Sequence, residues 1–360
     1  MFFTMEQKKE FVDPNFVRQD SVSEDDTQWY DARELSLYGL MPDEEHLRRM
    51  PEAVAATVNP GVLSGSIRST GGRVRFSTDS PYVALHVEYG KGSVPTCANH
   101  CLCYGFDLYR TDGEVEVFTG VARPVNDFDY KTGEYKMKTR RGGQMTAYTL
   151  NLPVFTAVKR LLVGIQKGCV MGPGKAYRNE KPVIFYGNSL TNGAAASRPG
   201  NTYESFISQT YNLDYRNLGF AGSAKGEQTM AEFIAGLPMS VCVCDYDHNA
   251  PTLEHYKATH YPFYETIRKH QPDVPYIMIS RPTYFMDPVV GEQRKKVTLE
   301  SYERALANGD RNVYFVDGAT LYEGDFYESC TADGWHPNDL GFLRIARKLG
   351  PVIAKAMGIA

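Results

Sequence analysis

After Lys181 the chain settles into a rhythm that few folds can accommodate. Apolar runs of about five residues, Val183–Tyr186, Val241–Cys244, Tyr276–Ile279 and Val313–Val316, alternate with long stretches of helical period. Uninterrupted apolar runs suit strands buried on both faces, and helices between them must then cover those faces. Residues 202–211, 252–270, 293–308 and 338–357 are the predicted helices, and a weaker strand is predicted near Leu213–Tyr215. Gly350-Pro351 predicts a kink or break in the last helix, because proline lacks the N–H donor and its ring crowds the preceding turn.

Before this point the period is two. Val83, Leu85, Val87 and Tyr89 alternate with Tyr82, Ala84, His86 and Glu88, and Asp112-Gly113 sits between two such runs as a tight hairpin turn would. Short strands without a convincing helix among them predict an antiparallel sandwich. The expectation is therefore an α/β chain in two parts. Residues 1–177 form a β-sandwich, jelly-roll-like, ending in a linker around Gly172–Lys181. Residues 178–360 form a doubly wound parallel sheet of flavodoxin-like type.

Charge narrows the partners. The 39 basic and 43 acidic residues nearly cancel to −4, so no basic face advertises nucleic-acid binding, and no run approaches the roughly 18 apolar residues of a membrane span. Seven cysteines are too few and odd in number for a disulfide framework. The opening MFFTMEQKKEFV meets charge before it builds an apolar leader, so a cytoplasmic location is expected, with export left open. Self-association is also left open. No glycine-rich phosphate loop follows a strand, and no cofactor is expected.

In open α/β sheets the working groups lie beyond the carboxyl ends of the strands. Ser189 follows Tyr186-Gly187-Asn188 at the end of the first run, in the place of a nucleophile, although Asn188 and Ser189 are also ordinary turn formers. Asp333 and His336 share a loop ahead of the last helix. A carboxylate there can hold one imidazole nitrogen while the other faces a serine. Asn217–Ser223, predicted to follow the second strand, and Asp245–Asn249 would add oxyanion donors: the N–H groups of Ser189 and Gly222 and the amide of Asn249. Arg198 and Arg281 are candidate substrate contacts, each balanced by a plain salt-bridge reading, and Trp335 could line the acyl pocket or pack beneath its loop.

Two clusters invite a metal reading. Asp245, Asp247, His248, His255 and His260 crowd together but lack zinc-ligand spacing, and surface histidines on a helix are expected instead. Cys97, His100, Cys101 and Cys103 form the second; Cys101 and Cys103 alternate as on a strand, so packing is expected and no metal. Arg294-Lys295-Lys296 reads as a solvated helix face.

The segments Tyr-Gly-Asn-Ser-Leu-Thr-Asn-Gly (186–193), Asn-Leu-Gly-Phe-Ala-Gly (217–222), the Asn249 loop and Asp-Gly-Trp-His-Pro-Asn (333–338) resemble, in order, the four blocks of the SGNH or GDSL hydrolases. Ala196–Gly200, Ser280-Arg281 and Gly105-Phe-Asp-Leu-Tyr109 are similar to the subgroup with an amino-terminal sandwich marked Gly-x-Asp-Leu-Tyr. The resemblance implies a metal-free serine esterase. Ser189 would be the nucleophile, His336 the base and then the acid, Asp333 its orienter, and Gly222 and Asn249 the oxyanion donors. Asn188 stands where the family's aspartate does, a position that is not the nucleophile. The substrate it implies is a small acyl ester, acetyl above all, on a carbohydrate. A lipid or thioester hydrolase of the same fold, or a carbohydrate-binding protein with a silent esterase domain, are the rivals.

Overall fold

The computed structural model describes residues 26–124, 131–139, 141–282 and 286–359. The opening residues on which the leader reading rests lie outside them.

Two antiparallel sheets make up the first part. One has the order Thr27–Asp31, Thr156–Gln166, Tyr82–Gly92, Thr132–Lys138. The other runs Met171–Pro173, Arg73–Thr78, Thr146–Asn151, Phe106–Asp112, Val115–Ala122, with Ser36–Tyr38 paired to Arg73–Thr78. Val83, Leu85 and Val87 from one sheet and Val74, Phe76, Leu108 and Leu150 from the other lie in one core, as alternation requires. Gly113 takes a positive φ of 63° in the predicted hairpin between Phe106–Asp112 and Val115–Ala122.

The first part is not purely β. Helices Glu52–Val58 and Pro60–Ser66 lie between the strands Ser36–Tyr38 and Arg73–Thr78, and His100–Tyr104 is also helical. Cys101 and Cys103 therefore sit on a helical turn, not on a strand. Asn99 caps it by accepting the Leu102 N–H at 2.9 Å, a local bond that period-two reading overlooks. Met171–Pro173, overlapping the start of the predicted linker, adds a strand instead.

The second part holds five parallel strands in the order Tyr215–Gly219, Val183–Gly187, Val241–Asp245, Tyr276–Ile279, Val313–Val316. The second strand in sequence thus starts where it was expected to end, and Asn217–Gly219 lies within it. All four predicted helices form, at Tyr203–Tyr211, Leu253–His270, Pro288–Ala307 and Asp339–Ala356. Thr202, Thr252, Asp287 and Asn338 each accept a first-turn N–H, which explains why the helices begin there. A fifth helix, Gln228–Ala235, carried no signal that the sequence reading used.

The last helix runs through Pro351 without a break. An interior proline costs about 3 kcal/mol. Phe342, Ile345, Leu349 and Ile353 on the same helix are all buried, and burying each contributes roughly 1.5–3 kcal/mol, so packing wins. None of the described helices is long and apolar enough to cross a membrane.

The halves are riveted together. Arg49, fully buried, donates to Gly65 O, to Gly219 O at 2.6 Å and to Asn192 Oδ1 at 3.1 Å, and stacks 4.3 Å from the Phe220 ring. Buried Asp107 and Tyr109, of the Gly-x-Asp-Leu-Tyr strand, hold the 198–201 loop. Asp107 accepts the Gly200 N–H at 2.8 Å and pairs with Arg198, and Tyr109 donates to Asn201 at 3.3 Å.

Candidate active site

At the carboxyl end of Val183–Gly187 the chain turns sharply. Asn188 fixes that turn: its backbone N–H donates to Asp245 O at 2.8 Å, its amide to Asp245 Oδ1 at 3.1 Å, and its own Oδ1 accepts the Leu190 N–H at 2.7 Å. Ser189, next along, is left pointing into a cleft of about 600 Å³, lined also by Gly222, His248, Asn249, Arg281, Arg294, Trp335 and His336. The serine and the histidine, 147 positions apart in sequence, thus share one cavity at one end of the sheet.

The Asp333–His336 loop is built to hold the imidazole. Asp333 Oδ1 accepts the N–H groups of Trp335 at 3.0 Å and His336 at 2.8 Å, while Oδ2 meets His336 Nδ1 at 2.7 Å. Gly334 makes the turn at φ 88°, a conformation that side-chain-bearing residues rarely adopt. Burial alone would raise the Asp333 carboxyl, but those N–H groups and the imidazole hold it below its ordinary value. His336 is pushed up to about 9, first by a hydrogen bond with Cys97, with burial opposing and Asp333 adding. With Nδ1 committed to the carboxylate, Nε2 is the nitrogen left to exchange a proton. Among the described residues the imidazole bonds Asp333 and makes no hydrogen bond to the Ser189 hydroxyl; such contacts often tighten only around substrate.

Three donors face the same cleft. No bond among the described residues uses the N–H of Ser189 or of Gly222, and Gly222, at φ 71°, opens onto free space. Asn249 spends one amide hydrogen on Phe220 O at 3.0 Å, which orients the other. Such a set can hold a negatively charged oxygen without reorganising.

The other candidates fall in different places. Arg281 lines the cleft, but its Nε is bound to buried Asp247 at 3.2 Å, so it shapes the wall. Trp335 stands partly exposed at the rim, edge-on to His248 with ring centroids 6.1 Å apart. Arg198 is not among the cleft-lining residues. It pairs with Asp107 at 3.3 Å, bonds the Tyr109 hydroxyl and stacks on Phe118, because a buried carboxylate competes for its charge.

Several readings need correction. Arg294 is buried and donates to the Asp247 and Ala250 carbonyls, and Lys295 pairs with Asp317, so of the basic run only Lys296 stands exposed as a solvated face would. His260 is buried against Ser301 and His255 bonds Lys225 O, so neither is a free surface histidine. His248, pushed down to about 4 by burial, enters the site as a neutral cleft-lining ring. Sequence reasoning also missed Cys97 beside His336. Its loop belongs to the sandwich half, and Asn99, bonding Ala196 O at 3.2 Å, is the tether that brings it there.

Residues 180–354 match the GDSL-like Lipase/Acylhydrolase family, and residues 27–171 match the N-terminus of SGNH-hydrolase-type esterases. A GDSL-like lipase from Bacteroides ovatus has a crystal structure with TM-score 0.84 at 27% identity, covering 93% of this chain and 99% of that one. A salicylyl-acyltransferase from a tetracycline biosynthetic pathway gives TM-score 0.71 at 19% identity, over 91% of this chain and 97% of that one. An acetyl xylan esterase from the rumen bacterium Butyrivibrio proteoclasticus gives 0.59 at 14%, over 92% and 99%. No curated protein matches the sequence significantly. Two family matches that together span nearly the whole chain, on a fold that agrees with them, make this a GDSL (SGNH) hydrolase, a carboxylic ester hydrolase whose catalytic part follows a GxDLY amino-terminal domain.

Proposed function

We propose that the chain hydrolyses small acyl esters, acetyl esters first among them, on carbohydrate, through an acyl-enzyme on Ser189. The observation that carries this reading is the Asp333–His336 contact of 2.7 Å in a cleft that Ser189 also lines. In its neutral form, the minority form below about pH 9, His336 Nε2 takes the proton of the Ser189 hydroxyl as its oxygen attacks the ester carbonyl. Asp333 steadies the imidazolium that forms, and the Ser189 and Gly222 N–H groups with the Asn249 amide hold the oxyanion. The imidazolium then gives its proton to the departing sugar hydroxyl. Water, deprotonated by the same imidazole, frees the acid.

The carbohydrate part draws on the rim. Trp335 offers an exposed apolar face next to a polar neutral ring, the pairing on which a pyranose can stack its C–H face while its hydroxyls reach polar groups. An acetyl xylan esterase and a family two carbohydrate esterase bound to cellohexaose share the fold.

The test is p-nitrophenyl acetate hydrolysis by the wild-type chain and by Ser189→Ala and His336→Ala, each checked for an intact fold. Each substitution should cost about 10⁴-fold or more in kcat. Turnover retained in both variants refutes the assignment, and faster hydrolysis of long-chain than acetyl esters refutes the small acyl group.

A further inference from the structure

Cys97 is a thiol that the ester chemistry does not use, yet it meets the histidine on which that chemistry turns. One ligand atom each from Cys97, Asp333 and His336 lies within 4.8 Å of the other two, and no other trio of histidine, cysteine or acidic residues converges in this way among the described residues. The cysteine cluster suggested by sequence dissolves: Cys101 and Cys103 lie on the short helix His100–Tyr104, whereas Cys97 reaches across to the catalytic loop.

We propose that Cys97, Asp333 and His336 form a site for zinc, or a divalent cation of similar softness, and that filling it silences the hydrolase by capturing the imidazole of His336. The donor set of one thiolate, one imidazole and one carboxylate is what zinc takes, and three protein ligands leave a fourth position for water. Around a tetrahedral zinc, ligand atoms stand about 3.3–3.7 Å apart, so side-chain adjustments of about 1 Å close the present arrangement.

The backbone holds the three groups in place before any ion arrives. Asp333 is fixed by the N–H groups of Trp335 and His336. Cys97 lies in a turn closed by the Ala98 N–H on Pro95 O at 2.9 Å and anchored by Asn99, which both caps the next helix and grips Ala196 O. Cys97 and His336 are partly exposed and Asp333 is exposed, so an ion has access from solvent. Binding releases the Cys97 thiol proton to solvent. The bound imidazole then has one nitrogen on the metal and its carboxylate partner drawn to the same ion, and it cannot take the proton of Ser189. Because Cys97 belongs to the sandwich half and the other two ligands to the catalytic half, the ion would also tie the halves together.

Silencing rests on His336 being the base; binding does not, and the experiment separates them. The full chain, stripped with EDTA, is titrated with cobalt(II) as a spectroscopic probe and with zinc(II) in competition. One cobalt per chain should give a near-ultraviolet thiolate-to-cobalt charge-transfer band that zinc displaces. Zinc should inhibit p-nitrophenyl acetate hydrolysis, with EDTA restoring it, and should raise Tm. In Cys97→Ser, with Cys97→Ala as the second variant, the band and the Tm increase should vanish. Inhibition, read against each variant's own zinc-free rate, should weaken by at least about 10- to 100-fold. A band that persists in both variants, or zinc inhibition unchanged by them, overturns the site. A Cys97-dependent band without inhibition overturns the silencing and counts against His336 as the base, while the metal site stands.

Discussion

Glu204 is a carboxyl group with nowhere to send its charge. It lies in the first turn of the helix Tyr203–Tyr211, fully buried, accepting the Asn217 amide at 3.3 Å, and no cation pairs with it among the described residues. Burial pushes it from the ordinary 4.5 up to about 8; hydrogen bonds, among them those of Thr202 and Tyr203, pull the other way, and the charge of Asp245 adds to the rise. A carboxyl raised on folding keeps a proton that the unfolded chain has released. Stability should therefore fall as pH climbs from 4.5 to about 8, and stay level outside that window. Each pH unit inside the window costs about 1.4 kcal/mol, so the penalty is about 3 kcal/mol at about pH 7 and about 5 kcal/mol above about pH 8. Glu204→Gln removes the titration and keeps the shape. Any fixed cost of the new amide cancels when the variant is compared with wild type at two pH values. Between about pH 5 and about pH 8.5 the difference should move by about 4 kcal/mol in favour of glutamine, or about 5 °C in Tm for a chain of this length. Urea or thermal unfolding across that range measures it. Asn217 also donates to the Thr191 carbonyl, just past Ser189, so unchanged kcat at about pH 7 would show that protonated glutamate and glutamine support the turn equally. A difference in stability that does not depend on pH refutes the reasoning, because it would mean that the carboxyl is ionised throughout or neutral throughout.

Other substitutions probe the remaining parts. Asn249→Ala should lower kcat on p-nitrophenyl acetate by about 10²–10³-fold with little change in KM, since its amide acts on charge that develops only in the transition state. Arg198→Ala should destabilise the chain by about 1–3 kcal/mol in urea unfolding, because it strips buried Asp107 of its charged partner. KM for small esters should stay unchanged; a raised KM would restore the substrate-contact reading. Arg49→Met should cost about 3 kcal/mol or more, leaving Gly219 O and Asn192 Oδ1 without their buried donor, and a neutral result would show that these groups find other partners.

Local chemistry repeats along a chain, and what repeats can be read from sequence. The parallel strands were legible because burial on both faces leaves an unbroken apolar run, and Tyr276–Ile279 and Val313–Val316 fall where those runs predict. The Asp333–His336 pair was legible for a related reason: two residues three positions apart around a glycine form a closed local unit. Long-range competition for charge leaves no such mark. Nothing near Arg198 in sequence says that buried Asp107, 91 positions earlier, will take its guanidinium, and nothing near Arg294 announces the carbonyls of Asp247 and Ala250. The Gly-x-Asp-Leu-Tyr segment shows the same logic from the other side. Its strand does not line the cleft. Asp107 and Tyr109 hold residues 198–201 and Ser197 and Asn201 bond Asp339, the first residue of the helix that follows the His336 loop. The sandwich therefore reaches the histidine twice, through this relay of hydrogen bonds and directly through Cys97. That double reach gives this chain's amino-terminal part a mechanical role: it holds the loop on which the imidazole stands.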